Sequence, residues 1–195
     1  MLDPGWVFLG AALGLAGSVR YAVAVAVGQA RPHLVTWTLW AAVPLIALLA
    51  QVGAGVGHQA VLTAAAGLGP LVVVVTGLVT RRGVVRAGRF DVACGVVALC
   101  ALGVWLGLGH AGPAVVVAVI ADGVAALPTV RKAWRDPHSE NALFYVLVGV
   151  GATVTLLTGT SGELAEWVFA GYMVALAAVL VGVIAGRRGL HRRRE

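Results

Sequence analysis

Residues Ala121 to Tyr145 read ADGVAALPTVRKAWRDPHSENALFY: an acid inside an apolar run, then Pro128, then a charged, proline-broken loop that leads into another apolar run. A fainter counterpart lies upstream in Ser18 to Trp40, SVRYAVAVAVGQARPHLVTWTLW. Each stretch is the corner between two apolar segments, and the chain reads as two copies of one unit that meet around this pair. An apolar segment that carries an acid near its middle, rather than at its ends, is the feature that asks for a function.

The rest of the composition sets the solvent. Hydrophobic residues make up 60% of the 195 and charged residues 11%, with a mean hydropathy of +0.95. Soluble domains carry about 25% charged residues, so these values describe an integral membrane protein. A spanning helix takes about 20 apolar residues, which leaves room for a bundle of spans and none for a soluble domain. The net charge of +6 does not point to nucleic acid, because the arginines cluster at the ends of apolar runs, where they report topology. Met1 to Trp6 holds Asp3 and no basic residue, so no cleavable signal peptide is expected. Cys94 and Cys100 match no metal-ligand spacing and read as small hydrophobes.

Seven apolar runs follow one another: Trp6 to Gly28, Leu34 to Gly53, Gln59 to Val79, Val92 to Gly109, Ala114 to Val130, Ala142 to Thr158 and Leu164 to Gly186. Arg31, Arg81, Arg82, Arg86, Arg89, Arg131, Lys132, Arg135 and the five arginines of the tail all fall on one side, whereas Asp3, Glu163 and Glu166 fall on the other. Only Arg20 stands inside a run. The positive-inside rule then sets the N-terminus outside and the C-terminus in the cytoplasm, for a multi-pass protein of the cell (inner or plasma) membrane. Glycine pairs spaced by four, Gly10 with Gly14, Gly103 with Gly107 and Gly182 with Gly186, are expected at close helix crossings.

Superposing Pro128-Thr129 on Arg20-Tyr21 brings Asp136 onto Gly28, and a short slip in the loop brings Pro137 onto Pro32, Asn141 onto Thr36 and Tyr145 onto Trp40. Gly69-Pro70 falls opposite Gly171-Tyr172 in the third helix of each copy. Helices one to three thus correspond to five to seven. The expected fold is an all-α polytopic membrane protein, seven transmembrane helices in two parallel three-helix bundles joined by a linker helix, with the repeat axis along the membrane normal. Its parts are 1–90 (first bundle and basic inside loop), 91–111 (linker helix), 112–188 (second bundle) and 189–195 (basic tail).

This plan, with the Thr36-Trp37-Thr38-Leu39-Trp40 opening of the second helix and Leu127-Pro128-Thr129 near the end of the fifth, resembles the superfamily of SWEET sugar transporters, PQ-loop proteins and Pnu-type vitamin transporters. Thr129 stands where PQ-loop proteins have glutamine, Arg20-Tyr21 replaces the motif in the first triplet, and the third helices lack the sugar transporters' asparagines. The resemblance implies a transporter that moves a small polar solute (a sugar, a vitamin or a nucleoside-like molecule) by alternating access, with a homotrimer as a possible assembly. A non-transporting scaffold or receptor-like protein using the same fold is the alternative.

Asp122 lies near the midplane, where a carboxylate costs at least ~2.5 to 3.5 kcal/mol on insertion scales. It is either a solute-binding or proton-coupling group, or a polar clamp between helices. Arg20 is its expected partner, unless the side chain snorkels to the interface. Trp37, Trp40 and Tyr145 either stack on a solute or belong to the interfacial aromatic belt; Asn141 and Tyr172 complete the candidate substrate-binding set. Trp6, Trp105, Trp134 and Trp167 read as interface anchors. Pro44, Pro70 and Pro128 break the backbone ladder inside helices and are hinges or static kinks. No enzyme is expected: Ser161 sits in an outer loop without a histidine partner, and the only lysine, Lys132, is outside the last helix. No metal and no cofactor is expected, and the partners are a small-molecule substrate and the lipid bilayer.

Overall fold

A computed structural model describes residues 4–53, 59–81, 88–107, 111–158 and 164–192, all of them helix or short connection with no strand among them. Asp3, Arg82, Arg86, Glu163, Arg193 and Arg194, used above to orient the chain, lie outside the described residues, as do the side chains of Trp105, Glu166, Trp167 and Arg192. Seven α-helices follow in order: α1 Val7–Ala26, α2 Leu34–Gly53, α3 Gln59–Thr80, α4 Arg89–Gly107, α5 Ala111–Arg135, α6 Ala142–Thr158 and α7 Leu164–Arg192. Single 3-10 turns at Pro4–Trp6 and Pro137–Ser139 precede α1 and α6.

Two helices run further than their apolar runs. α5 continues through Arg131, Lys132 and Arg135, which the sequence reading gave to a loop, and α7 continues through Arg187 and Arg188. Positive side chains are favoured in the last turn of a helix, where free carbonyls gather, so the basic residues extend these helices instead of ending them. Ala133, in the middle of the added turn of α5, is fully buried. α1 ends where expected. Gly28 takes φ +84°, and Gln29 and Ala30 return their amides to the Ala24 carbonyl at 2.7 and 3.1 Å, a left-handed helix stop that a side chain would strain.

Helix neighbours form an ordered pattern. Among the described residues the α3 backbone runs against both α1 and α2, whose own backbones stay apart, and the α7 backbone runs against both α5 and α6, whose own backbones stay apart. Across the middle α1 meets α6 and α2 meets α5, while α4 packs on α5 and α2. With α4 set aside, exchanging α1 with α5, α2 with α6 and α3 with α7 returns the same set of helix pairs, whereas α4 packs on α5 and α2 and has no counterpart contacts with α1 and α6 among the described residues.

Of the glycines expected at close crossings, Gly10 is at one: a Cβ there would stand 3.2 Å from the Gly151 carbonyl oxygen, so α1 and α6 pass backbone to backbone. Gly14, Gly103, Gly107, Gly182 and Gly186 have nothing within 4 Å of where a Cβ would sit. Among the described residues two stretches, Val7–Ala26 and Ala170–Leu190, are long and apolar enough to cross a membrane, and shorter apolar helical stretches run over Leu34–Leu45, Ala64–Thr80 and Ala142–Leu157. The outward faces of the helices are apolar too, with Val79, Val19, Leu78, Val97 and Ile120 all exposed.

Candidate functional site

The two sets of helices enclose a cavity of about 170 Å³ between them, lined from α1 (Gly10, Gly14, Ser18), α2 (Trp40, Pro44), α3 (Ala65, Pro70), α5 (Asp122), α6 (Phe144, Tyr145, Thr155) and α7 (Met173, Leu176). Small residues make the space. Gly14 leaves open room where a Cβ would project, and the prolines of α2 and α3 interrupt the ladder beside it. The lining is almost wholly carbon. Ser18 and Thr155 turn their hydroxyl protons back onto their own helices, to the Gly14 and Gly151 carbonyls at 3.0 Å each.

Asp122 is the one acid of that lining, and no lysine, arginine or histidine accompanies it among the described residues. One carboxyl oxygen accepts the Tyr172 hydroxyl at 2.5 Å. The Trp40 indole N–H lies near enough to act on the carboxyl but completes no hydrogen bond among the described residues. Gly123 admits the Tyr172 ring, which lies 3.8 Å or less from where a Cβ would be.

Below the cavity, towards the basic end where α1, α5 and α7 finish and α2 and α6 begin, four aromatic rings close the space. Tyr21, Trp37, Phe144 and Tyr145 are all buried, with ring centroids 4.4 Å apart for Tyr21 and Trp37, 4.9 Å for Trp37 and Phe144, and 5.0 Å for Phe144 and Tyr145. Such pairs each add ~0.5–1.5 kcal/mol beyond the area they bury.

Beneath the rings sits a second acid, Glu140, whose side chain is fully buried. One of its oxygens accepts Tyr21 Oη at 2.8 Å and Tyr145 Oη at 2.9 Å; the other meets Lys132 Nζ at 2.5 Å. Lys132 also donates to the Arg31 carbonyl. Arg188 donates to the carbonyls of Pro137 and Glu140 at 3.0 and 2.7 Å, and the Arg31 amide reaches Ser139 O at 2.8 Å. The Arg31 guanidinium pairs with Asp136 at 2.9 Å on the exposed rim. This one network ties α1, α5, α6 and α7 together. A buried charge pair is tolerable only when it is well compensated. Here two phenols donate to Oε2, while Oε1 has the Lys132 ammonium as its counter-charge but completes no hydrogen bond among the described residues.

The α2–α5 contact carries its own link. Pro128 removes an amide from the α5 ladder, and close by the Ala125 carbonyl accepts the buried Thr36 hydroxyl at 2.5 Å. At the same end His33 Nε2 stands 3.3 Å from Asp91 of α4. Burial lowers the His33 pKa from 6.5, although Asp91 opposes the shift.

The sequence-derived set therefore divides. Asp122, Trp40, Tyr145, Pro44 and Pro70 line the cavity, and Tyr172 holds the acid. Trp37 is fully buried in the aromatic layer instead, and Pro128 is buried at the α2–α5 contact. Asn141 is at the start of α6, where its Oδ1 accepts the Leu143 amide at 3.1 Å, away from the cavity. Arg20 does not partner Asp122: it is exposed on α1 and outside the lining, as the snorkelling alternative has it, and Tyr172 stands beside Asp122 instead. A face of α1 that holds Gly10, Gly14 and Ser18 inward turns residue 20 outward.

Glu140, Tyr21, Lys132, Thr36 and Arg188 are functional-site neighbours that the sequence pattern does not mark as site residues, although Tyr21 and Thr36 fall in the repeat and Lys132 among the topology charges. The available signal was the recurrence of Pro-His, Pro32-His33 and Pro137-His138, which marks the two loops that meet at Glu140. Comparison with protein-family models, curated proteins and solved structures finds no match to the chain.

Proposed function

We propose that this protein is a polytopic membrane transporter of the cell membrane that moves a small solute through the cavity between α1–α3 and α5–α7. Seven spans, an outside N-terminus and a cytoplasmic C-terminus make the Glu140 network the cytoplasmic closure. Two parallel three-helix bundles, with α4 as the linker, rock against each other to open one end or the other. The neighbour pattern supports the bundles, since the helix pairs among α1–α3 and α5–α7, with α4 set aside, are the same when the first three helices are exchanged for the last three. The exposed valines and leucines along the helices suit a lipid surround, and the resemblance to SWEET, PQ-loop and Pnu-type proteins points the same way. A single chain holds both bundles, so a homotrimer is compatible with this function but not needed for it.

The observation that carries the reading is the cavity with a lone acid. A carboxyl held near the middle of an apolar bundle is costly, and a purely structural clamp would have both its oxygens paired. Asp122 shows one such bond and opens onto space. The experiment is uptake into proteoliposomes over a panel of sugars, vitamins, nucleosides and organic cations, with wild type and Asp122→Asn. Saturable uptake of at least one solute is expected, falling about tenfold or more in the variant, equivalent to ~1.4 kcal/mol or more. No saturable uptake of any solute returns the protein to the non-transporting reading, and undiminished flux in Asp122→Asn removes that residue from the mechanism.

A further inference from the structure

We propose that the cavity takes an organic monocation, an ammonium group carried on a compact apolar body. This deepens the transport reading and rests on it for the solute's passage, while occupancy of the cavity can be measured apart from flux.

The first argument is charge. Asp122 has no cationic neighbour in the lining. Arg20 is exposed on α1. Lys132 and Arg188 are engaged at the basic end, the one with Glu140 and Arg31, the other with the Pro137 and Glu140 carbonyls. A carboxyl in an apolar space is ionised only beside a counter-charge and otherwise holds its proton; the described lining supplies no counter-charge, so a cationic solute is what pairs with the ionised acid. An anion meets repulsion there.

The second argument is the wall. Trp40, Phe144 and Tyr145 all line the cavity. Aromatic faces attract cations, and an ammonium among aromatic rings is the recurrent form of that contact. Tyr145 has its hydroxyl bound to Glu140 at 2.9 Å, so what it offers the solute is its ring.

The third argument is what the lining lacks. The hydroxyl protons of Ser18 and Thr155 go to their own helices, and the remaining surface, Ala65, Val148, Leu176 and their neighbours, is carbon. A sugar would leave most of its hydroxyls without partners, each at a desolvation cost. An apolar body with one charged group leaves nothing unmet. The size agrees, since apolar cavities of ~150 Å³ hold a benzene ring and this one measures about 170 Å³.

The test is equilibrium binding of radiolabelled phenyltrimethylammonium to the full chain in lipid nanodiscs, with glucose and benzenesulfonate as competitors, followed by uptake of the same cation into proteoliposomes. Saturable binding is expected, undisplaced by either competitor, retained in Asp122→Glu and weakened about tenfold or more in Asp122→Asn. Absence of saturable cation binding by folded protein, equal binding by Asp122→Asn, or displacement by glucose overturns the inference. Binding without flux upholds the cation site and defeats the transport reading; glucose flux without cation binding does the reverse.

Discussion

Asp122 and Glu140 are both carried into the interior, and they meet opposite surroundings. Glu140 is surrounded by partners: two tyrosine hydroxyls and a lysine, from α1, α6 and α5. Asp122 has the Tyr172 hydroxyl, the Trp40 indole nearby and a cavity. Burial alone therefore does not mark a functional acid. What separates them is the counter-charge: Lys132 stands against Glu140, and no cation stands in the cavity lining beside Asp122 among the described residues. Glu140 ties four helices together, and Asp122 faces a cavity.

The contrast can be broken first by stability. Glu140→Gln leaves Lys132 charged, largely buried and without its counter-ion, and is expected to destabilise the protein by ~3–5 kcal/mol, read as a marked fall in melting temperature in detergent. Asp122→Asn should melt close to wild type. Replacing the pair together, Glu140→Leu with Lys132→Met, should restore most of the loss, because a buried ion pair and an apolar pair of similar volume are often close in free energy. A Glu140→Gln protein as stable as wild type would mean that the network holds nothing together.

A smaller effect concerns the same end of the molecule at α4. Burial lowers the His33 pKa below 6.5 in the folded chain, with Asp91 and Glu140 acting against the shift and Lys132 with it. The unfolded chain then binds a proton more readily, so the stability His33 contributes is present above about pH 6.5 and is lost as pH falls through its folded pKa. The expected outcome is a melting temperature that drops between about pH 7.5 and 5.5, by less in His33→Gln than in wild type. An identical drop in both would assign the pH dependence to other groups.

How much of this could be read in advance follows from the range of the interactions. The helix boundaries at Gly28, Leu34 and Ala142 rest on local chemistry, a left-handed glycine stop and the apolar runs, and they agree with the structure. Asp122 stood out because a charge within an apolar run is a local anomaly, and Tyr172 was named from its place in the third helix of the second triplet. Glu140 was passed over because its meaning lies in Tyr21, 119 positions away, and in a lysine that read as loop. Lys132 looked like a topology signal and is also half of a buried pair. Arg20 was paired with Asp122 by a superposition of the two halves, which fixes depth along a helix but not the direction a side chain faces.

The central claim is that the cavity beside Asp122 is a solute path closed at its basic end by the Glu140 network. Gly14 offers the most direct probe, since it lines the cavity and has room for a side chain. A Gly14→Cys protein in which Cys94 and Cys100 are changed to alanine can be treated with a charged, membrane-impermeant thiol reagent in inside-out vesicles, where the proposed topology turns the arginine-rich face outward. The account predicts slow labelling in that protein and labelling about tenfold faster or more when Glu140→Gln is added, the equivalent of ~1.4 kcal/mol or more of lost closure. Equal rates with and without Glu140→Gln would show that the network does not close the path.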